Sequence, residues 1–432
     1  MRDIGYWFLD ALKGGEIKSH YNEVKFIQEN NNSRNSREIR AENLIKLLQH
    51  AVNNTPYYKK YIGFESIRDF GVINKGVVKE NFQDFISVNY NINKLTKVST
   101  SGSTGVPFKL YQCELKRKRL QADLIYFLEQ INFKIGQKLY VLEVWSETEV
   151  KSRLYYFLRN LINIDVLKLT DHDIADLLNK LKNDKSKKGI VGFASALEKI
   201  CKYLDKIESE PLDCNIVSIT AGSEYLNEYT RNSIKKYFGI DVVSRYSTEE
   251  FGILGQRRLN SSGEFQINWS SHFIEIFDKN KDEPVPLGMP GRVIVTDLFN
   301  YAMPMIRYDT GDIAVMNTSD DSGELVLQSV HGRIMDVIYN TKGEMISSFL
   351  IYCNFTPHYN DLNQYQFIQE GEKDYRIKLN PLREFSGVER LISDFRRDLG
   401  QDAKIKIDYV NNIPTLSSGK TRMVMNVHSV KK

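Results

Sequence analysis

The chain has 432 residues, of which 41% are hydrophobic and 26% are charged, and its formal net charge is +4. One hydrophobic core stops growing at about 250–300 residues, so the length predicts at least two domains. Basic and acidic residues are interspersed, which argues against the concentrated basic face of a nucleic-acid-binding protein. The densest basic run, residues 116–119, is expected to be a solvated helix face.

Sequence signals for location favour the cytoplasm. No stretch approaches the roughly 18 apolar residues that a membrane span needs. The first 18 residues lack the basic, apolar and small-residue regions of a signal peptide. We expect free thiols in a reducing compartment, because no metal-ligand spacing joins Cys113, Cys201, Cys214 and Cys353.

The first two thirds of the chain predict an α/β architecture. Residues 37–62 begin with the periodicity of a helix, which Pro56 must end because proline lacks a donor. From about residue 96 to 300, short apolar runs alternate with amphipathic segments, which favours strands followed by helices around buried sheets. The proline- and glycine-separated runs of residues 273–315 predict antiparallel strands joined by turns.

The remaining residues predict a small α+β domain. Two strand patterns, the helical pattern VERLISDFRRDLG and a final strand pattern follow Asp336. We therefore place a domain boundary there, with a large core over 1–335 and a second domain over 336–432. The predicted fold class is a large α/β N-terminal domain, with mixed sheets, flanking helices and a β-rich part, joined to a small α+β C-terminal domain.

The first chemical motif is the run Ser99–Pro107, STSGSTGVP. Glycines allow close backbone approach, and successive N–H groups can form a nest for phosphate oxygens. The run is not a Walker motif, which would end in Gly-Lys-Ser/Thr. On its own, such a run is more often an ordinary Ser/Gly-rich turn.

The second motif has two parts, each directly after an apolar strand: TAGSE at 220–224 and SRYSTEEFG at 244–252. Strand ends of an open α/β sheet are its usual ligand-binding edge. Tyrosine can stack on a purine, threonine can contact a phosphate, and a carboxylate can hold magnesium. Two adjacent glutamates alone would indicate an exposed helix start.

Two further motifs follow. MIRYDTGD at 305–312, with GRIMD at 332–336, offers an aspartate for ribose hydroxyls and an arginine for phosphate. LSSGKTR at 416–422 places a lysine beside a glycine, where it can reach a developing negative charge. Separately, these are also the features of a surface turn and a surface lysine.

In this order the motifs resemble those of the adenylate-forming superfamily of acyl-CoA synthetases, adenylation domains and luciferases. Its patterns are S-G-[ST]-T-G-x-P, Y-G-x-[ST]-E, Y-x-x-G-D, G-R-x-x-D and S-G-K. Within it, the chain looks like the phenylacetate–coenzyme A ligase branch, including relatives encoded with capsular-polysaccharide genes. The segments LLQHAVNNTPYYKKYI, VINKGVVKENF, GFASALEKI and AMPMIRYDTGD carry this resemblance, from about residue 40 onward.

The resemblance implies an ATP- and Mg²⁺-dependent ligase that adenylates a carboxylic acid. The C-terminal domain would be a mobile lid hinged at Asp336, and Lys420 on it would act in adenylation. The β and γ phosphates of ATP would lie against Ser101, Gly102, Ser103, Thr104 and Gly105. Adenine would be framed by Gly222, Ser223, Glu224 and Tyr246, with Ser247 in the same turn. Thr248 would contact the α phosphate, Glu250 would hold the metal, and Asp312 would bind the ribose. Arg333 would contact the ribose or a phosphate.

The chain departs from the family pattern at three places. Ser247 stands where glycine is usual, so that turn is expected to be tighter or differently bonded. Glu249 stands where Ser or Thr is usual, which leaves it as an alternative metal carboxylate to Glu250. The segment YNTKGEMIS at 339–347 lacks the usual continuation of a coenzyme A ligase.

The acyl acceptor therefore stays open. Coenzyme A is the first expectation, and an amine, such as one on a sugar nucleotide in polysaccharide biosynthesis, is the alternative. A non-catalytic nucleotide-binding relative is a third possibility, but the retention of Glu250 and Lys420 argues against it. The expected partners are a small carboxylic acid and this acceptor, with no nucleic acid and no membrane span, and a homodimer is left open.

Overall fold

The computed structural model describes residues 2–100, 108–143, 152–259, 263–333, 338–346, 351, 354–358, 361–414 and 422–428. The α-helices are α1 (Arg2–Leu12), α2 (Glu16–Glu29), α3 (Arg34–Asn54), α4 (Lys75–Glu80), α5 (Glu114–Glu129), α6 (Arg153–Arg159), α7 (Asp171–Asn183), α8 (Ala194–Lys206), α9 (Glu228–Phe238) and α10 (Val388–Leu399). Short 3₁₀ helices are Pro56–Tyr61, Ile67–Asp69, Ile92–Lys94, Val166–Lys168 and Thr356–His358.

Strands supply the frame of the molecule. They are β1 (Thr96–Thr100), β2 (Phe108–Gln112), β3 (Lys138–Glu143), β4 (Leu161–Asp165), β5 (Lys188–Phe193), β6 (Ile216–Gly222), β7 (Val242–Thr248), β8 (Gly252–Arg257), β9 (Phe265–Ile267), β10 (His272–Phe277), β11 (Pro290–Asp297), β12 (Tyr308–Thr318), β13 (Leu325–Arg333), β14 (Ile338–Tyr339), β15 (Met345–Ile346), β16 (Leu362–Gln369), β17 (Asp374–Pro381), β18 (Lys404–Tyr409) and β19 (Val424–Asn426).

In the described part of the chain, eleven strands form one mixed sheet in the order β10-β11-β12-β13-β9-β8-β7-β6-β5-β3-β4. Strands β3 to β7 are parallel, and helices α7, α8 and α9 lie in the connections between them. All other neighbouring strands in this order, from the pair β7 and β8 to the pair β11 and β10 at the sheet edge, are antiparallel. Both predictions, an α/β part and an antiparallel part over residues 273–315, are confirmed.

Local signals explain why the helices begin and end where they do. Ser33 caps α3 by accepting a hydrogen bond from the Ser36 N–H, and α3 ends two residues before Pro56, as predicted. Thr170 and Asp173 form a reciprocal capping box at the start of α7. Gly239 adopts a left-handed conformation that stops α9. Caps of this kind fix where a helix begins or ends, and they therefore fix the turns that join the helices to the strands.

The C-terminal residues form a separate four-stranded sheet in the order β18-β17-β16-β19, covered by α10. Its core includes Phe367 stacked on Phe395 with ring centroids 4.9 Å apart. The elements predicted after Asp336 are therefore present in the predicted order. None of the helices in the described ranges combines the length and the apolar character needed to traverse a bilayer.

The basic run on α5 is only partly solvated, so that expectation is wrong for Lys116 and Arg119. The side chains of Lys116 and Arg119 are both 0% exposed. Lys116 Nζ lies 2.8 Å from Asp297 Oδ2, which is equally buried. Arg119 donates to Glu23 Oε1, Ser271 Oγ and the Ser270 carbonyl oxygen at 2.7, 2.8 and 2.6 Å. These partners lie on α2, in the turn between β9 and β10, and at the end of β11, and a local sequence pattern does not show them.

This packing yields a stability prediction. Lys116→Met should lower the free energy of unfolding by about 3–5 kcal/mol, because it leaves the buried Asp297 carboxylate without its cation. Lys118→Met is the matched control: Lys118 pairs with the more exposed Glu16 and Glu114, so its loss should cost less than about 1 kcal/mol. Urea denaturation of both variants measures the difference, and equal losses would contradict the assignment.

Candidate active site

Both parts of the second motif lie at one edge of the parallel strands. Gly222 ends β6, and it is paired in register with Arg245 on the neighbouring strand β7. Thr248 ends β7, and Glu249 and Glu250 continue directly from it. The expectation that strand ends carry these residues to one edge of the sheet is confirmed, and the binding of a ligand at this edge stays a prediction.

The turn after β6 is built by Ser223 and Glu224. Ser223 has φ 66°, a left-handed conformation, and the Glu224 N–H donates to the Gly222 carbonyl oxygen at 2.8 Å. The Glu224 carboxylate accepts from the Ser195 N–H at 2.8 Å, in the first turn of α8. An acidic side chain is stabilised there by the helix dipole and the unpaired N–H groups. Glu224 therefore fixes the shape of this turn by tying β6 to α8.

The structure brings Tyr246 and Asp312 together, although they are 66 residues apart. The Tyr246 hydroxyl donates to Asp312 Oδ2 at 2.6 Å, and the two residues are 9% and 8% exposed. Burial raises the pKa of Tyr246 well above its ordinary value, and the Asp312 charge raises it further. The hydroxyl thus stays protonated and donates, while Asp312 stays an acceptor. Two motifs that the sequence suggested separately form one site.

The turn 248–251 carries the two adjacent acids. Thr248 Oγ1 accepts a hydrogen bond from the Phe251 N–H at 3.2 Å, which closes the turn. Glu249 is exposed, whereas Glu250 is half-buried. The negative charge of Glu250 is a further, smaller cause of the raised Tyr246 pKa.

Three residues that sequence reasoning missed hold this turn from other elements. The Phe251 carbonyl oxygen accepts from Lys116 Nζ at 3.0 Å and from His272 Nε2 at 3.1 Å. Gln112 Nε2 donates to the Glu250 carbonyl oxygen at 3.2 Å. The only sequence signal for any of the three is that Lys116 belongs to a basic run, a pattern that by itself indicates a surface feature.

Ser247, which replaces the usual glycine, lies at a register shift between β7 and β8. Such a bulge bends the strand and re-aims the residues beside it. Ser247 is not among the described residues with positive φ, so its conformation suits an ordinary side chain. The serine is therefore accommodated by a bulge at this point of the strand.

The third motif is assembled by strand pairing. Arg333, the last residue of β13, is paired in register with Asp312 on β12. This pairing brings the backbones of the two motif residues side by side. The Arg333 side chain lies outside the described part of the structure, so its predicted contact with ribose or phosphate stays a prediction.

Several predicted residues lie outside the described residues: the hinge Asp336, the lysine Lys420, and the loop residues Ser101, Gly102, Ser103, Thr104 and Gly105. The strands that flank the loop, β1 and β2, form an antiparallel hairpin in which Thr100 pairs with Phe108. The assignments of these residues stay predictions.

The donor set suits a magnesium ion that is bound together with phosphates. Within the described ranges, no group of three or more His, Cys, Asp or Glu residues is arranged to hold a metal ion. Magnesium in nucleotide sites needs one or two carboxylates, because phosphate oxygens and waters complete its octahedron. Half-buried Glu250, whose charge acts on Tyr246, fits that requirement.

Comparison with known proteins identifies relatives of this chain in sequence and in fold. The family model described as the CapK C-terminal domain matches residues 338–427. Protein CapK of Staphylococcus aureus is 22% identical over 443 residues, which cover 96% of this chain and 94% of that protein. Phenylacetate-coenzyme A ligase of Aromatoleum evansii is 32% identical over 142 residues, 31% of this chain and 32% of that protein.

A solved structure shows the same fold. The crystal structure of 2-hydroxyisobutyryl-CoA ligase in the postadenylation state superposes with a TM-score of 0.69 at 16% identity, over 91% of this chain and 90% of that one. The resemblance to the adenylate-forming superfamily, and within it to phenylacetate–coenzyme A ligases and CapK-type relatives, is confirmed. The predicted fold class is confirmed with it.

The Tyr246–Asp312 bond can be tested through stability. Tyr246→Phe should lower the free energy of unfolding by about 1.5–3 kcal/mol, because a buried carboxylate loses one of its donors. A double-mutant cycle with Asp312→Asn should give a coupling energy above about 0.5 kcal/mol. Tyr140→Phe is the control, since Tyr140 is 2% exposed and no hydrogen bond of its hydroxyl is described. Zero coupling would show that the two side chains do not act together.

Proposed function

We propose that this chain is an ATP-dependent acid ligase that adenylates a small carboxylic acid, releases pyrophosphate and transfers the acyl group to coenzyme A. One observation carries the proposal. The acidic motif and the Asp-Thr-Gly-Asp motif converge through the 2.6 Å bond between Tyr246 and Asp312, at the ligand-binding edge of a sheet with an adenylate-forming fold. If each motif were only an isolated surface turn, there would be no reason for the two motifs to form a buried contact with each other.

The nucleotide side of the site follows from this pair. One Asp312 oxygen accepts from Tyr246, and an ionised carboxylate has further acceptor sites for both ribose hydroxyls. The Tyr246 ring and the turn Gly222–Glu224 would frame adenine. Because Glu224 is fixed by α8, this turn is preorganised before ATP binds.

The phosphate side would be formed by the loop Ser101–Gly105, Thr248 and Glu250. Glu250 would hold Mg²⁺, which would supply positive charge against the phosphate oxygens. The anchored carbonyl oxygens of Glu250 and Phe251 keep the acidic turn in a fixed position relative to Asp312. Positioning and charge neutralisation supply most of the rate in such phosphorus chemistry.

The reaction has two displacements. In the first, a carboxylate oxygen of the acid attacks the α phosphorus, its bond to the bridging oxygen of pyrophosphate breaks, and an acyl-adenylate forms. Lys420 would stabilise the negative charge that develops in this step. In the second, the thiol sulfur of coenzyme A attacks the acyl carbon, the thiol proton is lost, and AMP leaves.

We assign residues 1–335 to the adenylation core and residues 336–432 to a lid that hinges at Asp336. Two observations support this division. The four-stranded sheet and α10 have a core of their own, separate from that of the large sheet. The matched C-terminal family model begins at residue 338.

An amine is the second candidate acceptor, in a capsule-related biosynthetic role. The relative that matches nearly the whole chain is Protein CapK, whereas the phenylacetate ligase match covers less than a third of the chain. The C-terminal part, which would face the acceptor, matches the CapK model. Both acceptors share the same adenylation step.

The proposed function predicts acid-dependent exchange of labelled pyrophosphate into ATP with the purified protein. A panel of carboxylic acids should include at least one that supports exchange, and Lys420→Ala should reduce it by about 10²–10³. Adding coenzyme A, or separately a panel of amines, then shows which acceptor turns exchange into net AMP formation. Exchange that is absent with every acid, or equal in Lys420→Ala, would refute the proposal.

The two adjacent acids should behave differently. Glu250→Gln should abolish exchange or raise the Mg²⁺ concentration needed for half-maximal rate by at least about tenfold, because a neutral amide binds Mg²⁺ poorly. Glu249→Gln should change both quantities less than about threefold, since this side chain is exposed. Magnesium titrations of the exchange rate make the comparison, and the reverse ranking would move the metal to Glu249.

A further inference from the structure

The sheet face opposite Tyr246 carries buried polar atoms with no function so far. Arg245 Nη2 and Thr220 Oγ1 are both buried, and neither has a hydrogen-bond partner in the structure as described. Buried polar groups are almost always hydrogen-bonded, so each exception needs an explanation. Both residues lie close to the sheet edge where the candidate active site is located.

Register places these groups on one face. Side chains alternate along a strand, so Arg245 lies on the face opposite Tyr246. Gly222 pairs with Arg245, and Thr220 pairs with Val243, two residues before Arg245. Thr220, Gly222 and Arg245 therefore share a face and form adjacent rows at the carboxyl end of β6 and β7.

The Arg245 guanidinium is fixed in place but not fully bonded. Its Nε donates to Gln256 Oε1 at 2.9 Å, and Gln256 in turn donates to the Phe127 carbonyl oxygen at 2.7 Å. Burial lowers the pKa of Arg245 to about 10, and the negative charge of Glu143 opposes this change. At neutral pH the guanidinium is still charged, with a buried donor left over.

Open space adjoins this donor. Among the described residues other than Gly222 and its two chain neighbours, no heavy atom lies within 4 Å of the position that a Cβ on Gly222 would take. Glu143 ends β3 at the same sheet edge, and its negative charge acts on Arg245. A cation with a spare donor and a carboxylate thus flank a gap that begins over Gly222.

We propose that this gap binds a hydroxyl group of the carboxylic acid substrate, with Arg245 donating to its oxygen and Glu143 accepting its proton. The proposal rests on the proposed function and assigns the substrate class as hydroxy acids. A hydroxyl is both donor and acceptor, so it satisfies both neighbours. A second carboxylate would be repelled by Glu143, and a hydrocarbon would leave the Arg245 donor buried and unsatisfied.

The test uses acids that differ only by one hydroxyl, such as propionate and 3-hydroxypropionate, butyrate and 4-hydroxybutyrate, and phenylacetate and 4-hydroxyphenylacetate. A site built to bond a hydroxyl can reject the analogue that lacks it by about 10⁴–10⁵. For at least one pair, we expect kcat/KM for exchange to be about 100-fold or more higher with the hydroxylated acid than with its unsubstituted analogue. Dicarboxylates of matched length should be poor substrates.

Variants then assign the preference to Arg245. Arg245→Met should reduce the preference to below about tenfold, mainly by lowering kcat/KM for the hydroxy acid, with the KM for ATP little changed. Glu143→Gln should reduce it less, because an amide oxygen still accepts. Arg257→Met is the matched control, since Arg257 is a half-buried arginine on β8 whose side chain lies on the other face. The Arg257→Met variant should keep the preference for the hydroxy acid.

If Arg245→Met does not fold, Arg245→Lys is used in its place, because lysine keeps the positive charge but lacks the fork of donors of the guanidinium.

The outcomes separate this inference from the proposed function. Exchange that is equally efficient with unsubstituted acids would overturn the hydroxy-acid assignment and leave the ligase intact. A uniform loss for all acids in Arg245→Met would show a structural arginine and would also overturn it. Absence of exchange with every acid would refute the ligase itself, and the assignment with it.

Discussion

The arrangement of the candidate site depends on the buried ion pair between Lys116 and Asp297. Lys116 is on α5 and Asp297 ends β11, so the pair joins a helix on the sheet to its antiparallel half. Removing both charges from water is costly, and the cost is offset because Lys116 also donates to the Phe251 carbonyl oxygen. The same ammonium group therefore stabilises the core and fixes the turn that carries Glu250.

Strand alternation lets one short segment serve two faces of the sheet. Tyr246 reaches Asp312 on one face, and Arg245, its neighbour in sequence, bonds Gln256 on the other. In the proposed ligase the first face would bind the nucleotide and the second the acid. The reacting carboxylate and the α phosphate would then meet at the sheet edge, near the end of β7, where Thr248 closes its turn.

Much of the fold could be predicted because its signals are local. Apolar runs followed by amphipathic segments gave the parallel strands and their helices, and Pro56 gave the end of α3. The site residues Gly222 and Tyr246 were predictable as strand-end residues, since a strand that stops at a polar motif places it at the sheet edge. The family resemblance could be recognised from the order of the motifs along the chain, whereas no single motif was specific enough to show it.

The elements, their order and the motif residues can therefore be predicted from local patterns, because periodicity and turn chemistry act over a few neighbours. Which charges are buried depends on the folded arrangement of distant segments. Lys116 belongs to a basic run that looks solvated, and its partner Asp297 is 181 positions away. Likewise, only the fold distinguishes half-buried Glu250 from exposed Glu249 and leaves Arg245 with a spare donor. The physical reason is that burial and pairing arise from contacts between segments distant in the chain, which local patterns do not encode.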